Sequence, residues 1–444
     1  MSRLSLRALA CCVTLTLVSA ASVPVRGQTA IPDTPAGGAF RAWLDAYNSD
    51  DSARVAAFLR TYQVEPVYRN AFQFRQMTGG FDLLSVEVSE PRHIEFVLRF
   101  RKGGMVGYGA LDLTPGDPSR VGGALQPLGP NASAEALRID APTRARVVGR
   151  AAVLLDSFYV SPDVGRRISD SLRARLARGA YDRYANGAGF SIRLNADLYE
   201  IAHDEHLRLL YSVRPAPPEP AAAKAPTTPS PEEVARDRRA MDEINCGFRK
   251  AEQLDGNVGY LRLDEFADPA ICRSTAEAAM TFLAGTRALI VDLRENGGGK
   301  PDMVALVASY LFDRRTHLND LWTRHTGSTQ AFWTQDSVAG RRFGGDKPVY
   351  VLTSAHTFSG AEEFAYDLQA LKRATIVGET TAGGAHPASE GRIDDHFVLM
   401  VPWGKAINPV TGTNWEGVGV EPDVKVPASE ALAAAQKLLR DRTP

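Results

Sequence analysis

The chain has 444 residues, 44% hydrophobic and 23% charged, with 51 basic and 52 acidic side chains and a formal net charge of -1. That length exceeds one ordinary domain and suggests about two or three, and the hydrophobic share suits globular domains with sizeable cores. Near-neutrality excludes a global field that would recruit nucleic acid or an anionic membrane.

Residues 1–27 read as a secretory signal. Arg3 and Arg7 form a short basic region, and Leu9 to Ala21 are apolar and small. The run is too short for a membrane span, so no span is expected after its removal and the protein is expected to be exported, periplasmic or extracellular. Removal leaves Cys246 and Cys272. Export permits a disulfide, but the sequence leaves open whether the two pair or stay as separate thiols. Two cysteines give no metal-ligand spacing and no His-x-x-x-His cluster replaces them, so no metal is expected.

A first unit is expected over 33–130. Phe40, Trp43, Leu44 and Tyr47 recur at helical spacing. Asn48-Ser49-Asp50-Asp51 ends that helix, and a second follows from about Ser52 with Val55, Phe58 and Leu59 inward. Ile94, Phe96, Leu98 and Phe100 alternate as in a half-buried strand, and Lys102-Gly103-Gly104 turns into the next. Helices followed by a meander read as a small α+β domain, which resembles in pattern the nuclear-transport-factor-like domains. Residues 140–212 read as helical, with Val147, Val148, Ala151, Ala152, Leu154, Leu155, Phe158 and Tyr159 on an apolar face. Ile168, Leu172 and Leu176 follow at helical spacing. Residues 213–235 are Pro- and Ala-rich and read as a linker.

From 236 to 430 strands alternate with helices, an α/β pattern. Val258–Leu263, Ala288–Leu293 and Pro348–Thr353 are the strands; Thr275–Leu283, Met303–Phe312 and Ala361–Leu371 the helices. Three segments there could carry chemistry. In Asp292-Leu-Arg-Glu-Asn-Gly-Gly-Gly299, the glycines permit a sharp turn that exposes amides. No Gly-Lys-Ser/Thr follows, so it is not a phosphate loop. In Thr357-Phe-Ser-Gly-Ala-Glu-Glu363, Ser359 stands at a helix start. It is either an N-cap with Glu362 as its capping-box partner, or a nucleophile placed at the positive end of the helix dipole. In Asn414-Trp-Glu-Gly417, Glu416 lies in a turn.

Together with Gly259-Tyr-Leu-Arg-Leu263 and Gly417-Val-Gly-Val-Glu-Pro-Asp423, these segments resemble the tail-specific, or C-terminal-processing, protease family. The resemblance covers about 140 to 430 and is closer to the branch with the tricorn core and interphotoreceptor retinoid-binding protein. It implies an α/β, crotonase-like core preceded by a helical segment, a serine peptidase acting on polypeptides, and no cofactor. Ser359 matches the family's nucleophile, with the Gly360 and Gly298 amides as the oxyanion donors. In the processing branch the base is a lysine about two dozen residues after the serine; here residue 384 is Gly and no lysine lies between 373 and 404. The tricorn-like branch instead uses a histidine from the preceding helical region and a glutamate after the serine. Asp204-Glu205-His206 fits the family's Asp-x-His pattern, so His206 is taken over His203, with His356 as runner-up, and Glu416 matches the glutamate. A serine hydroxyl needs such a base in hydrogen-bond reach, and a carboxylate fixes the imidazole tautomer. A peptide-binding PDZ domain, common in relatives, has no room between His206 and Cys246. Relatives in this branch include a retinoid and lipid carrier, so a catalytically silent ligand-binding protein is one alternative and a non-peptidase esterase another.

Overall fold

The computed structural model describes residues 30–49, 51–62, 75, 78–130, 138–216 and 230–441. The expected signal at 1–27 and residues 217–229 of the Pro-rich stretch lie outside the described residues. The chain divides into two compact units, one ending at Pro130 and one beginning at Asn131.

In the first unit two helices, α1 (Pro35–Asn48) and α2 (Ser52–Tyr62), precede four strands. These are β1 (Phe81–Ser89), β2 (His93–Phe100), β3 (Met105–Thr114) and β4 (Asp117–Pro130), an antiparallel meander in sequence order. Thr34 Oγ1 accepts the Gly37 N–H at 3.0 Å and Pro35 opens α1, so its start is capped twice over. Phe40, Trp43 and Tyr47 then share a core with Phe81, Ile94, Phe96 and Leu98, and the Phe40 and Phe96 rings stack at 3.9 Å. One expectation differs. β2 is buried on both faces, because the intervening Glu95 is also covered; it takes hydrogen bonds from Tyr108 Oη and from His93 Nε2 (2.9 Å).

The second unit begins with α3 (Ala141–Phe158), α4 (Pro162–Ala177), α5 (Gly187–Ala202) and the short strand β5 (Arg208–Tyr211). Asp140 and Asn186 cap α3 and α5 through bonds to Thr143 N (2.8 Å) and Gly189 N (2.6 Å). Val147, Val148, Ala151, Ala152, Leu155 and Tyr159 are buried as expected, whereas Phe158 is 44% exposed. Next comes α6 (Pro231–Glu243), a largely exposed polar helix that occupies the end of the stretch expected to be linker. Pro231 is tolerated there because the first helical turn needs no N–H donor.

The α/β part then runs β6 (Phe248–Leu254), β7 (Val258–Leu263), α7 (Pro269–Leu283), β8 (Ala288–Asp292), α8 (Pro301–Ser309), β9 (His317–Thr323), β10 (Thr329–Trp333) and β11 (Val349–Thr353). It continues through α9 (Gly360–Ala370), β12 (Thr375–Gly378), β13 (Ala388–Arg392), β14 (Phe397–Pro402), β15 (Gly404–Ile407), β16 (Val424–Lys425) and α10 (Ala431–Asp441). α7 starts ahead of the apolar pattern that suggested it, since Asp268 caps Ala270 N (2.8 Å) and Pro269 opens the helix. Six strands form the central sheet in the order β16-β12-β11-β8-β7-β6, parallel except for β6. Both faces are covered. Leu289 and Val291 pack among residues of α7, α8 and α9, while Ala288 and Ile290 meet Ala431, Ala435 and Leu439 of α10. Double burial is why these strands read as unbroken apolar runs. α10 carries the unit past residue 430, the expected end of the core.

The helical segment is joined to this core by backbone. β5 pairs antiparallel with β14, which also pairs with β13. The Arg324 guanidinium reaches back to the carbonyls of Tyr159 (2.5 Å) and Asp156 (3.1 Å) and satisfies the C-terminal end of α3. The question left open at Cys246 and Cys272 is answered: they are bonded, linking the turn before β6 to the first turns of α7 across 26 residues. Closing a loop of that size is worth about 3–4 kcal/mol of unfolded-state entropy. Wild-type protein treated with reductant, and the Cys246→Ser/Cys272→Ser variant, should each lose stability of that order in urea unfolding. An unchanged midpoint in both would remove this role.

Candidate active site

The Gly-rich turn is built first. β8 ends at Asp292, whose carboxylate is gripped by the Arg294 fork (Nε 2.9 Å, Nη2 2.6 Å) and by Tyr260 Oη (2.7 Å). Asn296, fully buried, donates to Leu263 O (2.9 Å) and accepts the Gly298 N–H (2.8 Å). Gly298 and Gly299 have φ of 108° and 136°, which only glycine adopts without strain. A Cβ on Gly298 would stand 2.7 Å from Ser359 Cβ and 2.8 Å from Gly360 N, so the turn lies directly against the nucleophile loop.

That loop is sewn to the turn. Ser354 Oγ donates to Arg294 O (2.5 Å), Thr357 Oγ1 to Leu293 O (2.8 Å), and Phe358 N to Asn296 O (3.1 Å). Ser359 then sits at φ 53°, ψ -120°, a backbone conformation costly for a residue with a side chain, immediately before α9. Its N–H donates to Glu362 Oε2 (2.8 Å), the capping-box bond that the sequence suggested. Its Oγ faces His206 Nε2 at 3.1 Å. Both readings of Ser359 thus coexist, the backbone serving the cap and the hydroxyl the histidine.

His206 comes from the loop between α5 and β5, and its N–H donates to Asp204 Oδ1 (3.0 Å). Its ring stacks on Phe358 (4.4 Å between centroids) and lies over Gly384, where an added Cβ would come 2.7 Å from His206 Cε1 and would also clash with the Phe358 ring. Burial pushes the imidazole down to about 4, against the pull of Asp204. It is therefore neutral near pH 7 and able to accept the Ser359 proton. Nδ1 is buried and, among the described residues, without a hydrogen-bond partner.

Glu416 sits in the turn after Trp415, whose Nε1 donates to Gly384 O (2.8 Å). Its Oε2 accepts the Ala385 N–H (2.6 Å) and lies 3.5 Å from His386 Nδ1, while Oε1 is buried and, among the described residues, without a partner. Burial, and then the charge of Asp204, push Glu416 up to about 7. No hydrogen bond or ion pair joins it to His206 among the described residues. The expected Ser–His pair is brought together, while the carboxylate remains a step away.

Other expected residues fall differently. Gly360, at the first position of α9, has an amide with no intrahelical acceptor. The Gly298 N–H, expected to face the oxyanion, is instead held by Asn296 Oδ1, because the Asx turn that shapes this loop uses it. His203 is the left-handed cap of α5 (φ 50°) and is exposed, and the His356 amide donates to Ser354 Oγ (3.0 Å) without its ring bonding Ser359.

Sequence reading gave Glu362 only as a capping-box partner and missed His386 and Tyr159. Glu362, fully buried, collects Ser359 N, Thr381 Oγ1 (2.5 Å), Gly383 N (2.6 Å) and Gly384 N (2.8 Å). Burial pushes it up to about 7 and these four donors pull it back. His386 Nδ1 meets Asp204 Oδ2 at 2.8 Å, and Tyr159 Oη donates to the same oxygen at 3.1 Å. The signal available for His386 was its place after the paired glycines 383 and 384; nothing in the sequence pointed Tyr159 at Asp204.

Two family models match the chain. The model for peptidase family S41 covers residues 257–426, and that for the N-terminal domain of peptidase S41 in eukaryotic interphotoreceptor retinoid-binding protein covers 134–249. A carboxyl-terminal-processing protease of Picosynechococcus sp. is 28% identical over 195 residues, 44% of this chain and 44% of its own length. The tricorn protease of Thermoplasma volcanium is 28% identical over 193 residues, 42% of this chain and 17% of its own length. The chain thus spans less than half the length of these curated relatives. A putative peptidase from Parabacteroides merdae superposes over 68% of this chain and 97% of its own, at 17% identity and a TM-score of 0.45. Matched by both models over adjoining segments that together exceed half its length, the chain belongs to peptidase family S41.

Proposed function

We propose that this protein is an exported serine peptidase that hydrolyses polypeptides through an acyl-enzyme on Ser359. The observation that carries the reading is the 3.1 Å approach of His206 Nε2 to a serine hydroxyl at a helix N-terminus. The names of its relatives, processing proteases, point to polypeptide substrates. The disulfide supports an oxidising compartment, and no described helix is long and apolar enough to cross a membrane. In this reading residues 236–430 form a crotonase-like core, 140–212 supply the base, and 33–130 are an accessory domain of nuclear-transport-factor type.

Ser359 Oγ attacks the carbonyl carbon as its proton passes to His206 Nε2. The oxyanion falls to the Gly360 N–H and to the turn at Gly298, whose own N–H must leave Asn296 to take part. Collapse breaks the C–N bond, and the imidazolium returns the proton to the departing amine. Water then attacks the ester, giving its proton to His206, and release of the acid restores Ser359. Glu416 Oε1 receives the Nδ1–H of the imidazolium as charge develops.

Three outcomes test this. Ser359→Ala should lose fluorophosphonate labelling and cleavage of an unstructured polypeptide by more than about a thousandfold; equal behaviour of both proteins would overturn the nucleophile. Labelling without cleavage would move the protein to ester hydrolysis. His206 is needed neutral and Glu416 ionised, so with values of about 4 and about 7 the labelling rate should rise with pH through about 7. Glu416→Gln should flatten that rise; a retained step would acquit Glu416. Gly384→Ala should displace the His206 ring by nearly a bond length and slow labelling about a hundredfold, and a rate within threefold of wild type, about 0.7 kcal/mol, would show that the ring has room.

A further inference from the structure

Two largely covered carboxylates come together at the site, Asp204 from the loop that carries His206 and Glu416 from the turn after Trp415. Their ligand atoms and His386 Nδ1 all lie within 4.8 Å of one another. Asp204 is almost wholly covered, and Glu416 and His386 are only 16% exposed, so little water is present to screen the two negative charges. His386 stands between them, its Nδ1 at 2.8 Å from Asp204 Oδ2 and 3.5 Å from Glu416 Oε2. Each carboxylate also has one backbone bond that matters to the site. Asp204 Oδ1 takes the N–H of His206 itself, and Glu416 Oε2 takes the N–H of Ala385, which follows the Gly384 on which the His206 ring rests.

We infer that His386 is a positioning residue: its Nδ1–H, bonded to Asp204 Oδ2 and facing Glu416 Oε2 at 3.5 Å, holds Asp204 where its other oxygen takes the His206 amide and draws Glu416 Oε2 to its own side, leaving Oε1 for His206 Nδ1–H. This rests on the peptidase reading for its purpose, though not for its geometry. Among the described residues, Glu416 Oε1 is the one of the four carboxylate oxygens without a partner, and His206 Nδ1 is likewise unpartnered. The Ala385 amide and the facing His386 ring together engage Glu416 Oε2, and Oε1 remains. It never touches the scissile bond. Its Nδ1–H holds the neutral His206 indirectly in the tautomer whose Nε2 accepts from Ser359.

Asparagine can place an amide N–H where Nδ1 stands, whereas glutamine places its own nearer Nε2, so the pair separates positioning from bulk. Nitrogen-15 spectra of histidine-labelled protein, with His206 assigned by its loss in His206→Gln, read the tautomer without any turnover. Wild type and His386→Asn should show His206 as the Nδ1–H form; His386→Gln and His386→Ala should show a mixture. Fluorophosphonate labelling should fall about tenfold or more in the Gln and Ala variants and recover in Asn. His386→Gln with wild-type tautomer and wild-type rate would overturn the positioning role while leaving the peptidase reading intact. Absent labelling in wild type, with the tautomer pattern as stated, would overturn the peptidase reading and leave the role of His386 standing.

Discussion

The site hangs on one buried carboxylate. Glu362 is the third residue of the nucleophile helix α9, and through it the Ser359 amide shares an anion with the hydroxyl of Thr381 and the amides of Gly383 and Gly384. Taking a carboxylate out of water costs several kcal/mol, and bonds to a charged group return about 1.5–3 kcal/mol each. Four donors therefore offset part of the burial, and losing any one would leave a covered charge shorter of partners. Because those donors lie on two segments, the cost of burying Glu362 is met only when the nucleophile and the 381–386 loop are in register. The loop in turn holds Glu416 through Ala385 and backs His206 with Gly384, so the histidine, the serine and the second glutamate are placed by reference to the same anion.

Strain points the same way. Ser359 has positive φ, and Gly298 and Gly299 are twisted so that no Cβ intrudes between turn and nucleophile. Such conformations persist only where the surroundings over-determine them. Here the surroundings are the bonds from Ser354, Thr357 and Phe358 to the carbonyls of 293, 294 and 296, which fasten one loop onto the other before any side-chain chemistry is considered.

What the sequence made legible was whatever one segment decides alone. The apolar runs 288–292 and 349–353 are continuous because both sheet faces are covered, and Ser359 with Glu362 three residues on reads as a helix start without help from elsewhere. β2 misled because alternation reports the apolar face, while Glu95 on the other face is buried by virtue of partners on β2 and β3 that periodicity does not register. His386, Tyr159 and the hub role of Glu362 depend on meetings between distant segments. Gly384 was legible only as a missing lysine. Its meaning in the fold is steric, since the space a side chain would need is taken by the imidazole of His206. The bond that holds the Gly298 amide escaped the sequence for a similar reason: spacing places the amide beside the serine, and only the folded turn shows that Asn296, two residues earlier, accepts it.

The pairing of β5 with β14 settles how the two halves of the chemistry are kept in reach. His206 is carried two residues before a strand whose partners lie in the core, and Arg324 anchors the end of α3 to the same body. Base and nucleophile are therefore coupled by a ladder of backbone bonds and a guanidinium clasp. The covalent path from β5 to β6 is therefore not what sets the distance from imidazole to hydroxyl; the ladder and the clasp set it.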